Sequence, residues 1–279
     1  MEREGLPFCI GHRGARQEAP ENTLAGLREA ARQGACWVEV DVTLSADGVP
    51  VILHDFTLER TTNGHGRVRE WTFAALQALD AGGGEPVPAL AAVLAEVRRL
   101  GLGLNLEIKP DPGREAATVW RVLAALRRVY PAPVRHRASA GLLLSSFSPR
   151  ILSLLAAGAP GWRRGLLLCG LRSGWGRLAR AGRVSSLHLP GSHVCAAGVR
   201  ACRRHGWPVL VYTVNRPRLA RCLRALGVTA IFTDCPGRML AAVREPAFRI
   251  RPGSHFFPGR RKRAARQDRA RSCGGSCRP

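Results

Sequence analysis

Glu39 and Asp41 stand two apart in the run WVEVDVTL, residues 37–44. In a strand, residues two apart project to the same face, so both acids point one way. The same holds for Glu107 and Lys109 in NLEIKP. His12 follows an apolar run in GHRG, His54 and Asp55 follow PVIL, and Asn215 and Asp234 follow the strand-like runs YTV and IFT. Carboxylates crowded into a cleft repel one another, and burying an unpaired charge is expensive. A hard divalent cation removes that cost, and an all-oxygen donor set suits Mg²⁺, Ca²⁺ or Mn²⁺. Glu39, Asp41 and Glu107 are therefore candidate metal ligands. A solvated rim, on which each acid pairs with an arginine, is the competing reading. It accounts for any one of these acids alone, but not for three of them beside two histidines. Histidine adds proton chemistry, because its unperturbed pKa of about 6.5 leaves both forms accessible near neutrality.

Residues scattered from 12 to 234 meet only if a fold gathers them. Short apolar runs at 7–11, 37–44, 50–53, 103–108, 141–146, 165–168, 185–189, 208–214 and 229–233 read as strands. Helical patterns lie between most of them, at 22–34, 89–100, 114–129, 149–158, 194–205, 217–226 and 237–244. The first has apolar residues at Leu24, Leu27 and Ala31 and a stop at Gly34. Repeated strand-then-helix order predicts parallel strands with crossover helices. About eight such units predict an α/β fold of the closed (β/α)8 TIM-barrel type over 6–245, whose C-terminal strand ends form one mouth. The segment 56–88 breaks the count and reads as a small insertion after the second strand. Its glycines, in DAGGGEP, do not lead from a strand into a helix, so they do not form a phosphate-binding loop. Residues 246–279 have no apolar period and are expected to be disordered.

The 279 residues suit one domain of this kind, and 46% hydrophobic content suits a sizeable core. A formal charge of +23 is unusual. Only Lys109 and Lys262 of the 43 basic residues are lysine, a skew that looks like a GC-rich coding bias. The tail 246–279 holds ten basic residues against one acid, and such a tail could touch nucleic acid or an anionic membrane. Reading the whole chain as an anionic-polymer binder leaves the acids and histidines unexplained. Nine cysteines, with no CxxC, argue against a disulfide framework and for reduced thiols in the cytoplasm. Cys273 and Cys277 in CGGSC make only a weak metal or disulfide site. The opening MEREGLPFCI is acidic and reaches a strand at once, which leaves no room for a signal peptide. No run of about 18 apolar residues predicts a transmembrane helix.

His12-Arg13-Gly14, Pro20-Glu21-Asn22-Thr23, Glu39-x-Asp41, His54-Asp55, Leu106-Glu107-Ile108-Lys109 and Thr213-Val214-Asn215 together resemble the signature of the glycerophosphodiester phosphodiesterase family. LERTTNG at 58–64, LLSSF at 143–147, RGLLL at 164–168, SLHL at 186–189 and LVYTVN at 210–215 are similar to its bacterial cytosolic branch linked to glycerol-3-phosphate uptake. The likeness runs over 6–240. It implies a TIM barrel, a divalent cation, and hydrolysis of a small-molecule glycerophosphodiester to sn-glycerol 3-phosphate and an alcohol. By the same likeness Glu39, Asp41 and Glu107 ligate the ion, His12 and His54 serve as acid and base, and Arg13 and Lys109 hold the phosphate. Glu21, Asn22, Asp55 and Asn215 would support that network. Tyr212 either walls the substrate or packs in the core, and His188 either faces the mouth or packs. His65, His136, His193, His205 and His255 read as surface residues.

The chemistry is consistent with the likeness. Charge shifts onto the phosphoryl oxygens as a nucleophile adds, and a cation and an arginine stabilise it. One imidazole takes the proton of the nucleophile and the other protonates the leaving alkoxide. His12 as base and His54 as acid is the working assignment; water and the glycerol 2-hydroxyl both stay open as first nucleophile. One departure from the family is visible. Members carry a longer, aromatic-containing stretch between the DAG-like motif and the following GE-x-x-P turn, whereas here Asp80–Glu85 runs straight into Pro86. Headgroup contacts and lid closure are therefore expected to differ. A lysophospholipase D-type enzyme acting at membranes is the nearest rival, but no long apolar insertion favours it.

Overall fold

The computed structural model describes residues 6–130 and 141–244. Its strands are β1 (Cys9–His12), β2 (Trp37–Leu44), β3 (Pro50–Ile52), β4 (Gly103–Ile108), β5 (Leu142–Ser146), β6 (Arg164–Leu167), β7 (Ser186–Pro190), β8 (Val209–Tyr212) and β9 (Ala230–Thr233). All but β3 run parallel, and β1 pairs with both β2 and β9, so the sheet closes. Helices cover the outside at Leu24–Arg32, Leu90–Arg99, Glu115–Val129, Pro149–Gly158, Trp175–Ala181, Ala196–Arg204, Pro217–Ala225 and Pro236–Arg244. This is the expected TIM barrel. The helix Trp175–Ala181 was not anticipated from the sequence. The expected disorder of 246–279, the Cys273–Cys277 site and the surface placement of His136 and His255 lie outside the described residues.

Strand alternation sorts the side chains. Val38, Val40 and Val42 of β2, and Leu104, Leu106 and Ile108 of β4, join the large apolar layer between barrel and helices. Trp37 of β2 packs instead inside the barrel with Ile10, Leu143, Leu210, Ala230 and Phe232. Period two therefore turns Glu39 and Asp41 inward with Trp37, and turns Asn105 and Glu107 inward along β4. Register then stacks them, because Glu39 pairs with Asn105, Asp41 with Glu107, and His12 with Glu39. Local signals start the helices: the Thr23 hydroxyl accepts the Gly26 N–H at 3.1 Å, and the Ser148 hydroxyl caps the helix that Pro149 opens.

The end of β2 continues past its barrel neighbours and folds back as β3, with Val42 against Ile52 and Leu44 against Pro50. The excursion that follows contains a 3₁₀ turn at Val68–Glu70 and a short helix at Phe73–Gln77. It buries a core of its own, Val51, Leu53, Leu58, Val68, Leu76 and Val87. Its glycines make a turn: the Asp80 carboxylate accepts the N–H groups of Gly82 and Gly84 at 2.7 and 3.0 Å. The Glu85 carboxylate then accepts the Ala25 N–H at 3.1 Å, in the first turn of the helix Leu24–Arg32. An acid there satisfies an amide that the helix leaves free and complements its dipole.

Candidate active site

At the C-terminal ends of the strands lies a cavity of 140 Å³. Its lining includes His12, Arg13, Glu39, His54, Asn105 and Glu107 on one side and Phe147, Leu167, His188 and Tyr212 on the other. One oxygen from each of Glu39, Asp41 and Glu107 lies within 4.8 Å of the others, and all three residues are buried. Lys109 Nζ sits 3.0 Å from Glu107 and 3.5 Å from Asp41, and Arg13 Nε lies 3.3 Å from Asp41. Three carboxylates against two cations leave one excess negative charge in a low-dielectric pocket. Glu39 Oε1 is buried there without a hydrogen-bond partner. A buried carboxylate oxygen facing two other acids is what a hard cation would satisfy, so the donor set fits a divalent ion.

The surrounding bonds hold this cluster in place. Arg13 adopts a left-handed backbone (φ 54°), and its N–H donates to Glu39 Oε2 at 3.0 Å. Asn22, also left-handed (φ 58°), donates through Nδ2 to Asp41 at 3.0 Å and accepts the Asp41 N–H at 3.2 Å. Glu21 does not touch the acids. It takes Arg13 Nη1 at 2.7 Å and both terminal nitrogens of Arg60 at 2.8 and 3.0 Å. Arg60, from the excursion, also pairs with Asp55, which holds His54 Nδ1 at 2.5 Å. On the far side Asp234 binds His12 Nδ1 at 2.7 Å, and Asn215 Nδ2 donates to Asp234 at 2.6 Å. Each histidine thus has Nδ1 on a carboxylate. For His12, Nε2 is left on the Glu39 side, 3.9 Å from its carboxylate.

Electrostatics follow from burial and neighbours. Burial, then Asp41 and Glu107, push the Glu39 carboxyl well above its ordinary range. Burial raises Glu107 as well, against the pull of Lys109. Burial acts the same way on Asp41, but Lys109, Arg13 and His54 outweigh it and hold that acid below its ordinary value. Glu21 falls to about 2, because Arg60 and Arg13 overcome its burial. Burial pushes His12 down, with Asp234 opposing and Arg13 reinforcing. Burial also lowers His54, with Asp41 opposing and Lys109 and Arg13 reinforcing. Burial thus favours the neutral form of each ring, and the carboxylate on its Nδ1 opposes that push.

A model of the Glycerophosphoryl diester phosphodiesterase family matches residues 12–238, a span holding every residue named above. The chain belongs to this family. A glycerophosphodiester phosphodiesterase of Caldanaerobacter subterraneus subsp. tengcongensis is 32% identical over 251 residues, covering 85% of this chain and 98% of that one. An Oleispira antarctica phosphodiesterase, solved in complex with the product sn-glycerol-3-phosphate, is 36% identical with a TM-score of 0.81 over 86% of this chain and 97% of that one. A glycerophosphodiester phosphodiesterase from Agrobacterium tumefaciens is 30% identical with a TM-score of 0.70, over 85% of this chain and all of that one. The expectation of a phosphoric diester hydrolase on a TIM barrel is met.

Within this family fold, the cavity and the bonds around it bring together all the residues singled out from the sequence. Tyr212 lines the cavity, edge-on to Phe147 at 6.0 Å, packs against the inner apolar cluster, and donates its hydroxyl to the Leu168 carbonyl at 3.0 Å. His188 is fully buried yet lines the cavity, its Nε2 3.1 Å from the Ser186 hydroxyl. It fits because residue 165 is glycine; a Cβ there would stand 2.4 Å from His188 Nε2. Three participants were not singled out. Asp234 was placed at a strand end without a role, Arg60 was seen only as part of LERTTNG, and Phe147 only as part of LLSSF. Their partners are distant in sequence, and no local pattern marks them.

Proposed function

We propose that this chain hydrolyses glycerophosphodiesters to sn-glycerol 3-phosphate and an alcohol, with a catalytic unit over 6–245. In this reading Glu39, Asp41 and Glu107 hold a divalent cation, Mg²⁺, Ca²⁺ or Mn²⁺, and His12 and His54 move the protons. The observation that carries it is the unpartnered Glu39 Oε1 within a three-carboxylate cluster, flanked by two histidines whose Nδ1 atoms rest on carboxylates. When bound, the cation supplies a Lewis acid for the phosphoryl oxygens and reverses the excess negative charge of the pocket, which suits a phosphodiester monoanion.

The side chains divide the remaining work. His12 accepts a proton at Nε2 while Asp234 holds the Nδ1 proton and stabilises the imidazolium. His54 acts from its protonated form, donating at Nε2 while Asp55 keeps the Nδ1 proton and stabilises the imidazolium. Arg13 and Lys109 offer donors to the phosphate from among the acids that fix them. Phe147 and Tyr212 exclude water and pack on the organic part of the substrate. Cys9, Cys36, Cys195, Cys202, Cys222 and Cys235 are free thiols, which supports a reducing, cytoplasmic setting. Among those residues, no helix is long and apolar enough to cross a membrane.

A coupled assay for released glycerol 3-phosphate, run across glycerophosphodiesters with different headgroups, tests this. Chelation, Glu39→Ala and His12→Ala are each expected to abolish release, a loss of at least about 10³-fold. Wild-type rates in Glu39→Ala would remove that residue from the ion's shell.

A further inference from the structure

The family's catalytic mouth leaves unexplained a charge pattern at the other end of the barrel. From 116 to 233 the sequence has nineteen arginines and no aspartate or glutamate. A coding bias exchanges lysine for arginine; it does not remove acids. In a TIM barrel each helix runs back from the mouth to the start of the next strand, so its last turn lies at the end opposite the mouth. Those last turns hold Arg127 and Arg128, Arg180, Arg203 and Arg204, Arg224 and Arg244. All are exposed, as is Arg183 just after the helix Trp175–Ala181.

Arginine complements a helix C-terminus by itself, and that explains one or two per helix. It does not explain the contrast around the ring. In the first part of the barrel two of the three last-turn arginines are neutralised, Arg32 by Glu29 at 2.6 Å and Arg99 by Glu96 at 2.7 Å, while Arg98 pairs with no described acid. In the second part none of these arginines pairs with a described acid. Even the buried Arg164 beneath this rim has no carboxylate among the described residues; it donates to the carbonyls of Ala159, Trp162, Gly182 and Arg183 at 2.8 to 3.2 Å. Leu178, one of the few large apolar side chains left exposed, shares a last turn with Arg180. The sequence after the final helix, 246–279, adds ten basic residues against one acid.

We propose that this basal arc is a docking face for an anionic phospholipid bilayer. The arc follows the rim at one end of a barrel, which suits a plane, and it offers an exposed leucine to the boundary between headgroups and acyl chains. A surface bound there leaves the mouth, at the opposite end, open to soluble diesters.

The test is cosedimentation of the full chain with vesicles, either phosphatidylcholine alone or phosphatidylcholine with about 30% phosphatidylserine, at about 0.1 M and about 0.5 M NaCl. Binding is expected only to the anionic vesicles and only at the lower salt. Arg128→Glu, Arg183→Glu and Arg204→Glu combined should lower the partition coefficient at least about tenfold while leaving hydrolysis unchanged. Arg150→Glu, Arg216→Glu and Arg218→Glu combined reverse three charges at the mouth ends of helices in the same part of the barrel and should change it less than about twofold. If the first triple does not fold, glutamine at the same positions should give about half the effect on a logarithmic scale. Unchanged binding in the rim variants would assign the effect to the tail and overturn the proposal. Equal losses in both glutamate triples would do the same, by showing diffuse charge. Preference for a single-stranded RNA oligomer over the vesicles would make the partner a nucleic acid, and overturn it too.

Discussion

β1, β2 and β4 present His12, Glu39 and Glu107 to the cavity, while β5 to β8 and their following residues present Phe147, Leu167, His188 and Tyr212. Both sets come from the same inward positions of the same closed sheet, so the difference is one of side chains alone. The polar wall holds its charges through mutual pairing and leaves one carboxylate oxygen unmatched. The apolar wall is quiet: its titratable imidazole, His188, is kept neutral by burial. Under the proposed function the two walls have separate tasks, the phosphodiester on one and the carbon skeleton on the other. The apolar wall also strengthens the polar one, because it lowers the dielectric in which the charges act.

Three experiments can break or sharpen that division. The largest effect is expected for Asp234→Asn. It keeps the shape but loses the charge that orients His12 and stabilises its protonated form, so kcat should fall about 10- to 100-fold with KM nearly unchanged. A rise in KM alone would mean that the polar wall serves binding rather than proton transfer. Next is Phe147→Ala, which should raise KM about tenfold with kcat little changed, as expected for lost apolar contact made equally in ground and transition states. A fall in kcat instead would show that the apolar wall takes part in the chemical step.

The smallest effect concerns stability. Burial pushes His188 down to about 3, against an ordinary value of 6.5. Between these values the unfolded chain binds a proton that the folded chain refuses. The contribution to stability is therefore complete above the ordinary value and falls as pH drops, by at most about 1.4 kcal/mol per pH unit. Urea unfolding of His188→Leu should show a shallower loss between pH 6.5 and 5 than the wild type, whatever its absolute stability. Parallel curves would mean that the ring already takes up a proton in the folded state, and that this wall is wetter than described.

Legibility in the sequence tracked the range of the interactions. The strands 37–44 and 103–108 were bounded correctly by their apolar alternation, and with them the inward direction of Glu39, Asp41 and Glu107. The helix Trp175–Ala181 was missed because it is short, glycine-flanked and rich in arginine, with Ala179 its only buried residue. The excursion hid its helix Phe73–Gln77 because that helix is stabilised by packing on β3 and not by its own period. Asp234 could be placed at a strand end, but its bond to His12 spans 222 positions and exists only because β9 closes against β1. Arg60 escaped for a similar reason: its two carboxylate partners sit on either side of β2 in sequence.

The turn from Asp80 to Pro86 carries one more consequence. Its two ends bridge each other, Asp80 closes it from within, and Glu85 moors it to the start of the helix Leu24–Arg32. A segment spliced between Gly83 and Gly84 would begin and end on anchored backbone. That makes the abbreviated turn a ready graft point, where loops of differing length and aromatic content could be swapped in without disturbing the barrel.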